Sequence, residues 1–341
     1  MGVGYVYDKV FLEHDTGDHP EHASRLIHCV DYLDREGILP LLTPLAAEPA
    51  ARTDLLRVHD AAYIDSVRRV AREGGGYLDL DTPVSAGSYQ AALYAAGSTI
   101  AATRAVLCGK VAQAFALVRP PGHHAMRNRA MGFCLFCNVA VAAACALDEG
   151  GLSRIAIVDV DVHHGNGTAA AFAGDERVLY VSTHQHPHYP YTGDWRDTGE
   201  GASQGRRINI ALPAGAGDET FRLATELIIT PALRRFRPEL VLVSAGYDAH
   251  YLDDLARLRL TVNGYAQLMR VLLGLARELC SGRMALTLEG GYNLDVLAAG
   301  VAATFRVLLD TPWEDALGTP GWHDSGNRDL LTSIAQLHGL I

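Results

Sequence analysis

Several features are scarce or missing in this sequence of 341 residues, and each absence excludes a class of protein. The longest apolar run, Val139 to Leu147, is far shorter than the roughly 20 residues that a membrane-spanning helix needs. Lysine and arginine number 29 against 39 aspartates and glutamates, and no basic run occurs, so we expect no nucleic-acid partner. The chain opens without a basic and apolar leader segment, and we therefore expect a cytoplasmic protein with no membrane partner.

Cysteine is also sparse, with six residues in the whole chain. Only Cys134 and Cys137 have the Cys-x-x-Cys spacing, and no second pair completes a four-ligand zinc set, so we expect both to be buried packing residues. No linker rich in proline or serine and no repeat interrupts the chain. We therefore predict a single domain over residues 1–341, with 311–341 as its weakly patterned C-terminal extension.

Short apolar runs alternate along the chain with longer segments of helical periodicity. The predicted strands are residues 4–7, 114–118, 154–158, 178–182, 208–212, 240–244 and 284–288. The predicted helices include residues 89–108, 138–149, 219–235, 262–279 and 294–309. Strands that alternate with helices predict an α/β fold, in which helices cover both faces of a mostly parallel β-sheet.

Polar and glycine-rich segments directly follow four of these strands. They are Arg119-Pro-Pro-Gly-His-His-Ala125, Asp159-Val-Asp-Val-His-His-Gly-Asn-Gly-Thr168, Ala245-Gly-Tyr-Asp-Ala-His250 and Glu289-Gly-Gly-Tyr-Asn293. In open α/β sheets, ligands bind at the carboxyl ends of the strands. We therefore expect the four segments to converge at one edge of the sheet and to form the functional site.

Three residues of these segments are candidate zinc ligands. Asp161 and His163 are two residues apart at the predicted end of a strand, where an extended backbone would direct both side chains to the same side. Asp248 would supply a third ligand and leave positions open for water and substrate, as catalytic zinc sites require. An isolated Asp-x-His pair could instead be a structural hydrogen bond, but the other motifs favour a metal site.

The tandem histidines His123 and His124 follow Pro-Pro-Gly, a sequence that fixes a turn and holds the imidazoles on a stiff loop. One imidazole can take a proton from a metal-activated water while the other supports or protonates the leaving amine. Asp159 could orient His123 through its second ring nitrogen, and Asn166 could do the same for His124. The sequence leaves open which histidine is the base.

Tyr292 follows two glycines, which allow the backbone to turn tightly and present the phenol to the site. A phenolic donor there would stabilise a tetrahedral oxyanion together with zinc. A tyrosine in such a turn could also lie on the surface, and only the complete set of motifs favours the catalytic interpretation.

In this order, the four motifs resemble those of the histone deacetylase superfamily, including its bacterial deacetylases and acetylpolyamine amidohydrolases, over nearly the whole chain. The resemblance implies the arginase/deacetylase fold and a zinc-dependent hydrolysis of an acylated amine. Residue by residue, it assigns zinc binding to Asp161, His163 and Asp248, the catalytic dyad to His123 and His124 with Asp159 and Asn166 in support, and transition-state stabilisation to Tyr292.

The same resemblance implies a supporting shell around the reacting centre. A K⁺ or Na⁺ ion would be bound by Asp159, Asp161, His163, Ser182 and Thr183, and a second one by carbonyl groups at Phe172, Asp175 and Val178. The acyl-chain tunnel would be lined by Gly132, Phe133 and Tyr189, with Asp81 holding the substrate backbone at the rim. Arg25 resembles the arginine behind the product-release channel of the family.

Three positions distinguish branches of the family. Asn166 replaces the aspartate of many relatives and resembles the class II pattern, and a tyrosine rather than a histidine at position 292 favours efficient deacetylation. Leu255 stands where polyamine-selective relatives have a glutamate. This residue favours an acylated lysine of a peptide or protein over an acetylated polyamine, although a shift of one residue in the alignment would change that interpretation.

Three other functions share part of this residue pattern. An arginase-like dimanganese enzyme needs further bridging carboxylates, but His164 and His250 occupy the places where they would stand. A non-catalytic acyl-lysine binding module would lack some of the reacting groups, whereas every chemical position is filled here. A deacetylase of acetylpolyamines or other small acetylated amines keeps the same chemistry and stays the open alternative. The acyl chain length, the native metal and the oligomeric state are not predicted.

Overall fold

The central sheet has eight parallel strands in the part of the chain that the computed structural model describes, residues 2–319, 321 and 324–341. The strands are β1 (Val3–Val6), β2 (Thr43–Leu45), β5 (Gln113–Ala116), β6 (Ile155–Asp159), β7 (Val178–Gln185), β8 (Arg207–Leu212), β9 (Leu240–Ala245) and β10 (Met284–Leu288). Their order is β2-β1-β5-β10-β9-β6-β7-β8. β3 (Gly75–Asp79) and β4 (Thr82–Ser85) form a separate antiparallel hairpin.

The seven strands predicted from the sequence are all present, and their ends agree to within three residues. They were recognisable because β5, β6, β7, β9 and β10 are buried along their whole length and are therefore continuously apolar in large part. The prediction did not include β2 or the hairpin. β2 is a three-residue edge strand that contains Pro44, a residue that edge strands tolerate because they need fewer backbone donors.

Eleven α-helices surround the sheet in the described part of the chain. They are α1 (Ser24–Arg35), α2 (Arg52–Leu55), α3 (Ala61–Arg72), α4 (Ser88–Leu107), α5 (Asn138–Asp148), α6 (Asn166–Ala171), α7 (Asp218–Ala224), α8 (Thr230–Phe236), α9 (Val262–Cys280), α10 (Leu294–Leu308) and α11 (Arg328–Leu337). A π-helical stretch, Thr225–Ile229, joins α7 to α8. Among the residues described, no helix combines the length and the apolar character that a membrane crossing requires.

The helices form two layers, as the sequence predicts. α4 packs on α5 and on β5 and β10, whereas α1, α10 and α9 pack side by side in a second layer. α10 is buried over most of its surface because it lies between α1 and α9. Cys134 and Cys137 are buried and unpaired in the loop before α5, which confirms the prediction that they are packing residues.

The contact between α10 and the loop after β9 positions part of the site. Gly300 of α10 has no side chain, and a Cβ atom there would lie 2.3 Å from the ring of Tyr247. The Tyr247 hydroxyl forms a 2.8 Å hydrogen bond with Thr304 one turn further along α10. The residue that follows Tyr247 is Asp248, so this packing fixes the backbone that carries a predicted metal ligand.

The segment after α10 returns to the loops around the sheet. The Trp313 indole donates a hydrogen bond to Asn263 at 2.9 Å, and the Tyr251 hydroxyl donates to the carbonyl oxygen of Leu317 at 2.8 Å. Asp324 accepts hydrogen bonds from the backbone of Gly217 and Thr220 at the start of α7. The C-terminal residues therefore hold the loop after β9 and the first residues of α9 and α7.

Candidate active site

The four polar segments predicted to converge lie at one edge of the sheet. They follow β5, β6, β9 and β10, which are neighbours in the order β5-β10-β9-β6. Because all four strands are parallel, their carboxyl ends open on the same side, where ligands bind in folds of this type. The arrangement brings His123, Asp161, Asp248 and Tyr292 together from distant parts of the sequence.

The predicted metal ligands form one buried group. The candidate ligand atoms of Asp161, His163 and Asp248 all lie within 4.8 Å of one another. His163 Nδ1 lies 3.1 Å from an oxygen of Asp161 and 3.2 Å from Asp248 Oδ2. The expectation that an extended strand directs Asp161 and His163 is wrong, because β6 ends at Asp159. A bend brings them together instead, closed by a 2.9 Å hydrogen bond from the His163 amide to the Asp161 carboxylate.

The donor set fits a divalent cation. Asp248 Oδ2 is buried and accepts no hydrogen bond among the described residues, since His163 Nδ1 at 3.2 Å lacks the alignment of one. A buried carboxylate oxygen without a hydrogen bond is costly. The other oxygens are used: Asp248 Oδ1 accepts from the Val162 amide at 2.9 Å, and Asp161 Oδ2 accepts from the Gly290 amide at 2.8 Å. A metal ion held by both carboxylates and His163 would balance their charge and use the remaining oxygen.

Two glycines make room for the carboxylates. A Cβ atom at Gly290 would lie 2.2 Å from Asp248 Oδ2 and 2.6 Å from Asp161 Oδ2, and one at Gly246 would lie 2.1 Å from the same oxygen of Asp161. These distances are far shorter than any van der Waals contact. The glycines at both positions therefore follow from the close packing of backbone against the two carboxylates.

The tandem histidines differ in their partners and in their charge. His123 Nδ1 lies 3.1 Å from Asp159, and His124 Nδ1 lies 2.7 Å from the side-chain oxygen of Asn166. Although burial opposes a charge on His123, Asp161 and Asp159 raise its pKa well above the usual value. Burial lowers the pKa of His124 well below the usual value, and the nearby His123 adds to that effect. The two imidazoles therefore differ in proton affinity, because the nearby carboxylates favour a charge on His123 whereas burial opposes one on His124.

Glu289 supports the loop of the tandem histidines, a role that the sequence did not suggest. Its buried carboxylate accepts hydrogen bonds from the amides of Gly122 at 2.7 Å and His123 at 3.1 Å. Ser244 Oγ lies 3.2 Å from its other oxygen. Burial raises the pKa of Glu289 to about 7. Its place at the head of the Glu-Gly-Gly-Tyr motif was visible in the sequence, but the loop that it holds was not.

Arg25 packs against the ring of Tyr292 and binds the backbone of the turn that carries it. The fully buried Arg25 guanidinium lies 4.9 Å from the centre of the Tyr292 ring and donates to the carbonyl oxygens of Gly291 and Glu289 at 2.7 and 2.6 Å. Burial raises the pKa of the Tyr292 phenol well above its usual value, so the hydroxyl keeps its proton and can donate a hydrogen bond. Tyr292 is therefore half-buried against Arg25 and is not an exposed turn residue, the alternative that the sequence had left open.

Comparison with known proteins places this geometry in one family. Residues 19–308 match the histone deacetylase domain. A probable deacetylase of Archaeoglobus fulgidus is 40% identical over 298 residues, 86% of this chain and 82% of that protein. A histone deacetylase-like amidohydrolase of Pseudomonas aeruginosa is 40% identical over 314 residues, 85% of this chain and 82% of its own. The crystal structure of the HDA15 HD domain matches with a TM-score of 0.91 at 33% identity, over 99% of this chain and 96% of that one.

The chain belongs to the histone deacetylase family. The resemblance and the fold class, one α/β domain with a mostly parallel sheet, are confirmed. The domain bounds 1–341, with 311–341 as an extension, stay a prediction. Membership indicates a hydrolase that acts on amides of acetylated substrates and depends on a metal ion, in agreement with the group of Asp161, His163 and Asp248.

The predicted substrate residues of this deacetylase lie around the mouth of the site. The rings of Tyr189 and His124 meet edge to face with centres 5.2 Å apart, and those of Phe133 and Tyr292 do so at 5.7 Å. Gly132 has a φ of 56°, and a Cβ atom there would lie 2.4 Å from the His124 ring. The glycine thus lets the loop pass close to the His124 ring.

Asp81 and Leu255 lie further out, on two different loops. Asp81 is at the turn between β3 and β4, where Thr82 Oγ1 donates to Asp81 at 3.1 Å and accepts from the Phe133 amide at 3.2 Å. Leu255 is half-buried and borders a cleft of about 980 Å³ whose wall also includes His188. The hairpin that carries Asp81 was not predicted, so only the structure shows that Thr82 links this residue to the Phe133 amide.

The residues assigned to monovalent cations lie in two places near the deacetylase site. Asp159 and Ser182 face each other on β6 and β7, and Thr183 Oγ1 donates to the Asp159 carbonyl at 3.3 Å. Ser182 Oγ forms a 2.8 Å hydrogen bond with His184. Phe172, Asp175 and Val178 form a turn, in which the Asp175 amide donates to the Phe172 carbonyl at 3.1 Å and the Val178 amide lies 3.5 Å from the Asp175 carbonyl.

Several supporting residues had no signal in the sequence analysis. Tyr180 donates its hydroxyl to Asp159 at 3.0 Å, on the same oxygen that His123 contacts. Glu21 is buried between Arg25 and Arg119, at 2.9 and 2.5 Å. Tyr180 and Arg119 are distant along the chain from the carboxylates they contact, so no local pattern links them, whereas Glu21 and Arg25 are four residues apart.

Proposed function

We propose that this protein is a zinc-dependent amidohydrolase that removes acetyl or other acyl groups from acylated lysine side chains through attack of an activated water. One observation carries the proposal: Asp161, His163 and Asp248 converge around a buried carboxylate oxygen that accepts no hydrogen bond, beside the buried His124, whose pKa is lowered. Zinc bound by these three residues would polarise the amide carbonyl and lower the pKa of the attacking water. One Zn²⁺ per chain is proposed.

His124 is the proposed general base. Its low pKa keeps the imidazole neutral, and the Asn166 oxygen at 2.7 Å accepts from Nδ1–H, which leaves Nε2 free to take a proton from the water. His123 lies 3.1 Å from Asp159, which favours its charged form, and a charged imidazole here would stabilise the negative charge that develops on the amide oxygen. The proton on His124 then passes to the leaving amine, and a carboxylate and a free amine are the products.

Tyr292 is the proposed oxyanion donor. Its phenol is protonated, and Arg25 and the glycines before it fix the turn on which it stands. A hydroxyl that donates to the developing oxyanion stabilises the transition state more than the ground state, which is the requirement for acceleration.

The proposed tunnel suits a straight acylated chain. Phe133, Tyr189 and Gly132 would form its walls, Asp81 at the mouth would accept from the substrate backbone, and Leu255 offers an apolar contact without a carboxylate for a distant ammonium. We further propose that K⁺ or Na⁺ binds at Asp159, Ser182 and Thr183, with Asp161 and His163, and that a second ion binds at Phe172, Asp175 and Val178. The cytoplasmic location predicted from the sequence stays a prediction.

The test compares kcat/KM for an acetyl-lysine peptide and for an acetylated polyamine, with zinc-loaded protein and a chelated control. We expect chelator-sensitive turnover with a preference for the peptide. A preference for the polyamine would assign the chain to small acetylated amines, the alternative function. Absence of chelator-sensitive turnover on either substrate would contradict the zinc amidohydrolase.

A further inference from the structure

Asp253 connects the mouth of the site to its catalytic turn. Its carboxylate is 4% exposed, and one oxygen accepts hydrogen bonds from the backbone amides of Tyr292 at 2.7 Å and Asn293 at 2.9 Å. The other oxygen accepts from the Leu255 amide at 3.2 Å. A single side chain therefore fixes the backbone of the proposed oxyanion donor and of the entrance residue.

Two further contacts tie the same segments together. The Asn293 side chain donates to the Leu252 carbonyl at 3.0 Å, so the turn and the loop are joined on both sides of Asp253. At the other end, His188 Nε2 contacts the Leu255 carbonyl at 3.0 Å. The His188 ring stacks on His163, with ring centres 5.2 Å apart and a 21° angle between planes. Leu255 is thus fixed through its amide by Asp253 and through its carbonyl by His188.

From this geometry we infer that Asp253 is a positioning residue that couples the entrance at Leu255 to the hydroxyl of Tyr292. The inference rests on the proposed function and deepens it, because it explains how a surface loop influences the reacting centre. Asp253 does not touch the site of reaction. It acts through Tyr292, whose backbone amide it holds, and through Leu255.

The contacts require a carboxylate. Both Asp253 oxygens accept from backbone N–H groups, and an asparagine would place an NH₂ group against at least one of those donors. Asp253→Asn therefore keeps the size of the side chain and removes the hydrogen bonds to one of the two segments that Asp253 links, a linkage that we call the brace. The turn at Tyr292 or the loop at Leu255 must then move, and a small displacement of a catalytic group lowers the rate strongly.

The chain offers a matched control in Asp324. Its carboxylate also accepts from two backbone amides, those of Gly217 and Thr220, but it lies on the C-terminal segment at the start of α7. Asp324→Asn removes a comparable brace away from the mouth. A general loss of stability would affect both variants, whereas a positioning role affects only Asp253→Asn.

The first readout needs no activity. In metal-free protein, amide hydrogen exchange of the peptide that spans 289–293 should accelerate in Asp253→Asn by about tenfold or more, and should stay unchanged in Asp324→Asn. The second readout is kinetic. Asp253→Asn should lower kcat by at least about tenfold in the wild-type background, and by less than about twofold when Tyr292 is already phenylalanine.

The outcomes separate this inference from the proposed function. Equal fold losses in both backgrounds, or unchanged exchange at 289–293, would overturn the coupling through Tyr292. Faster exchange together with a wild-type protein that shows no chelator-sensitive turnover would support the brace and contradict the deacetylase activity instead. Wild-type turnover with identical kinetics for the Asp253→Asn and Asp324→Asn variants would leave the function intact and remove Asp253 from it.

Discussion

The floor of the site, formed by Asp161, His163 and Asp248, and its rim, formed by Asp81, Tyr189 and Leu255, are constructed in different ways. The floor residues follow β6 and β9, two adjacent buried strands, and are at most 8% exposed. The rim residues come from a hairpin turn and two separate loops, and Leu80, next to Asp81, is 98% exposed. A substitution at the floor therefore disturbs buried charged groups that contact one another. A substitution at the rim replaces a side chain close to solvent and leaves those groups in place.

The comparison shows which part of the structure determines catalysis and which determines substrate preference. The pairing of β6 with β9 positions the floor residues, so the reacting groups depend on the core of the fold. The rim depends on loops, which vary more readily and carry specificity in many folds. Substitutions at the two regions should therefore affect different kinetic constants.

The largest effect is expected at the floor. Asp248→Ala removes a ligand and leaves Asp161 and His163 without their partner, so we expect loss of bound zinc and a fall in kcat of at least about 10³-fold. Metal content after dialysis and turnover at saturating substrate measure the two effects. An Asp248→Ala variant that retains a full equivalent of zinc and stays active would contradict the ligand assignment.

A smaller effect is expected just above the floor. Tyr292→Phe keeps the ring between Arg25 and Phe133 and removes only the hydroxyl, so we expect kcat to fall by about 10²-fold with bound zinc unchanged. Steady-state kinetics and metal analysis on the same preparation separate the two quantities. A kcat within a factor of two of wild type would exclude the tyrosine from the reaction.

At the rim, selectivity should change while the chemistry stays the same. Leu255→Glu adds a carboxylate at the mouth, where it can attract a distant ammonium group, and we expect the ratio of kcat/KM for acetylated polyamine over peptide to rise about threefold to tenfold. Leu255→Gln has the same shape without the charge and serves as the control. An equal change in both variants would show that the size of the side chain, and not its charge, determines the preference. A fall in kcat for both substrates would show that the rim also affects the reacting groups at the floor.

The smallest effect concerns the loop between β5 and α5, which carries His123 and His124. His59 lies beneath it, with Nδ1 2.9 Å from the Met126 carbonyl and Nε2 accepting from the Cys137 amide at 2.9 Å. Burial lowers the pKa of His59 to about 4, against about 6.5 in the unfolded chain. The unfolded state therefore binds more protons between these values, and the free energy of unfolding should decrease as the pH falls from about 6.5 to 4.

His59→Gln keeps an acceptor for the Cys137 amide and removes the titration. We expect the pH dependence of the free energy of unfolding between pH 6.5 and 4 to become shallower, by at most about 1.4 kcal/mol per pH unit. Urea denaturation at several pH values measures this slope. Since His14 and His338 also have a pKa of about 4, part of the slope should persist, and an unchanged slope would contradict the contribution of His59.

The sequence was sufficient to predict those strands and site residues that belong to a recognisable local pattern. Buried strands such as β9 and β10 are apolar and β-branched enough to be recognised, and the polar residues that follow them belong to short motifs. The pairing of His123 with Asp159 was also foreseen, because both residues belong to those motifs. The bend from Asp159 to His163 was not, because a hydrogen bond from the His163 amide to Asp161 overrides the strand alternation used to predict it.

The sequence by itself determined the family, the α/β fold and the residues that meet at the floor, because strand periodicity and short motifs are local properties of the chain. Only the tertiary structure decided that Glu289 holds the histidine loop, that Arg25 lies under Tyr292, and that Asp253 joins the mouth to the catalytic turn. These contacts link residues that are distant along the chain. Their geometry depends on how the buried sheet orders its strands, and no local pattern encodes that order.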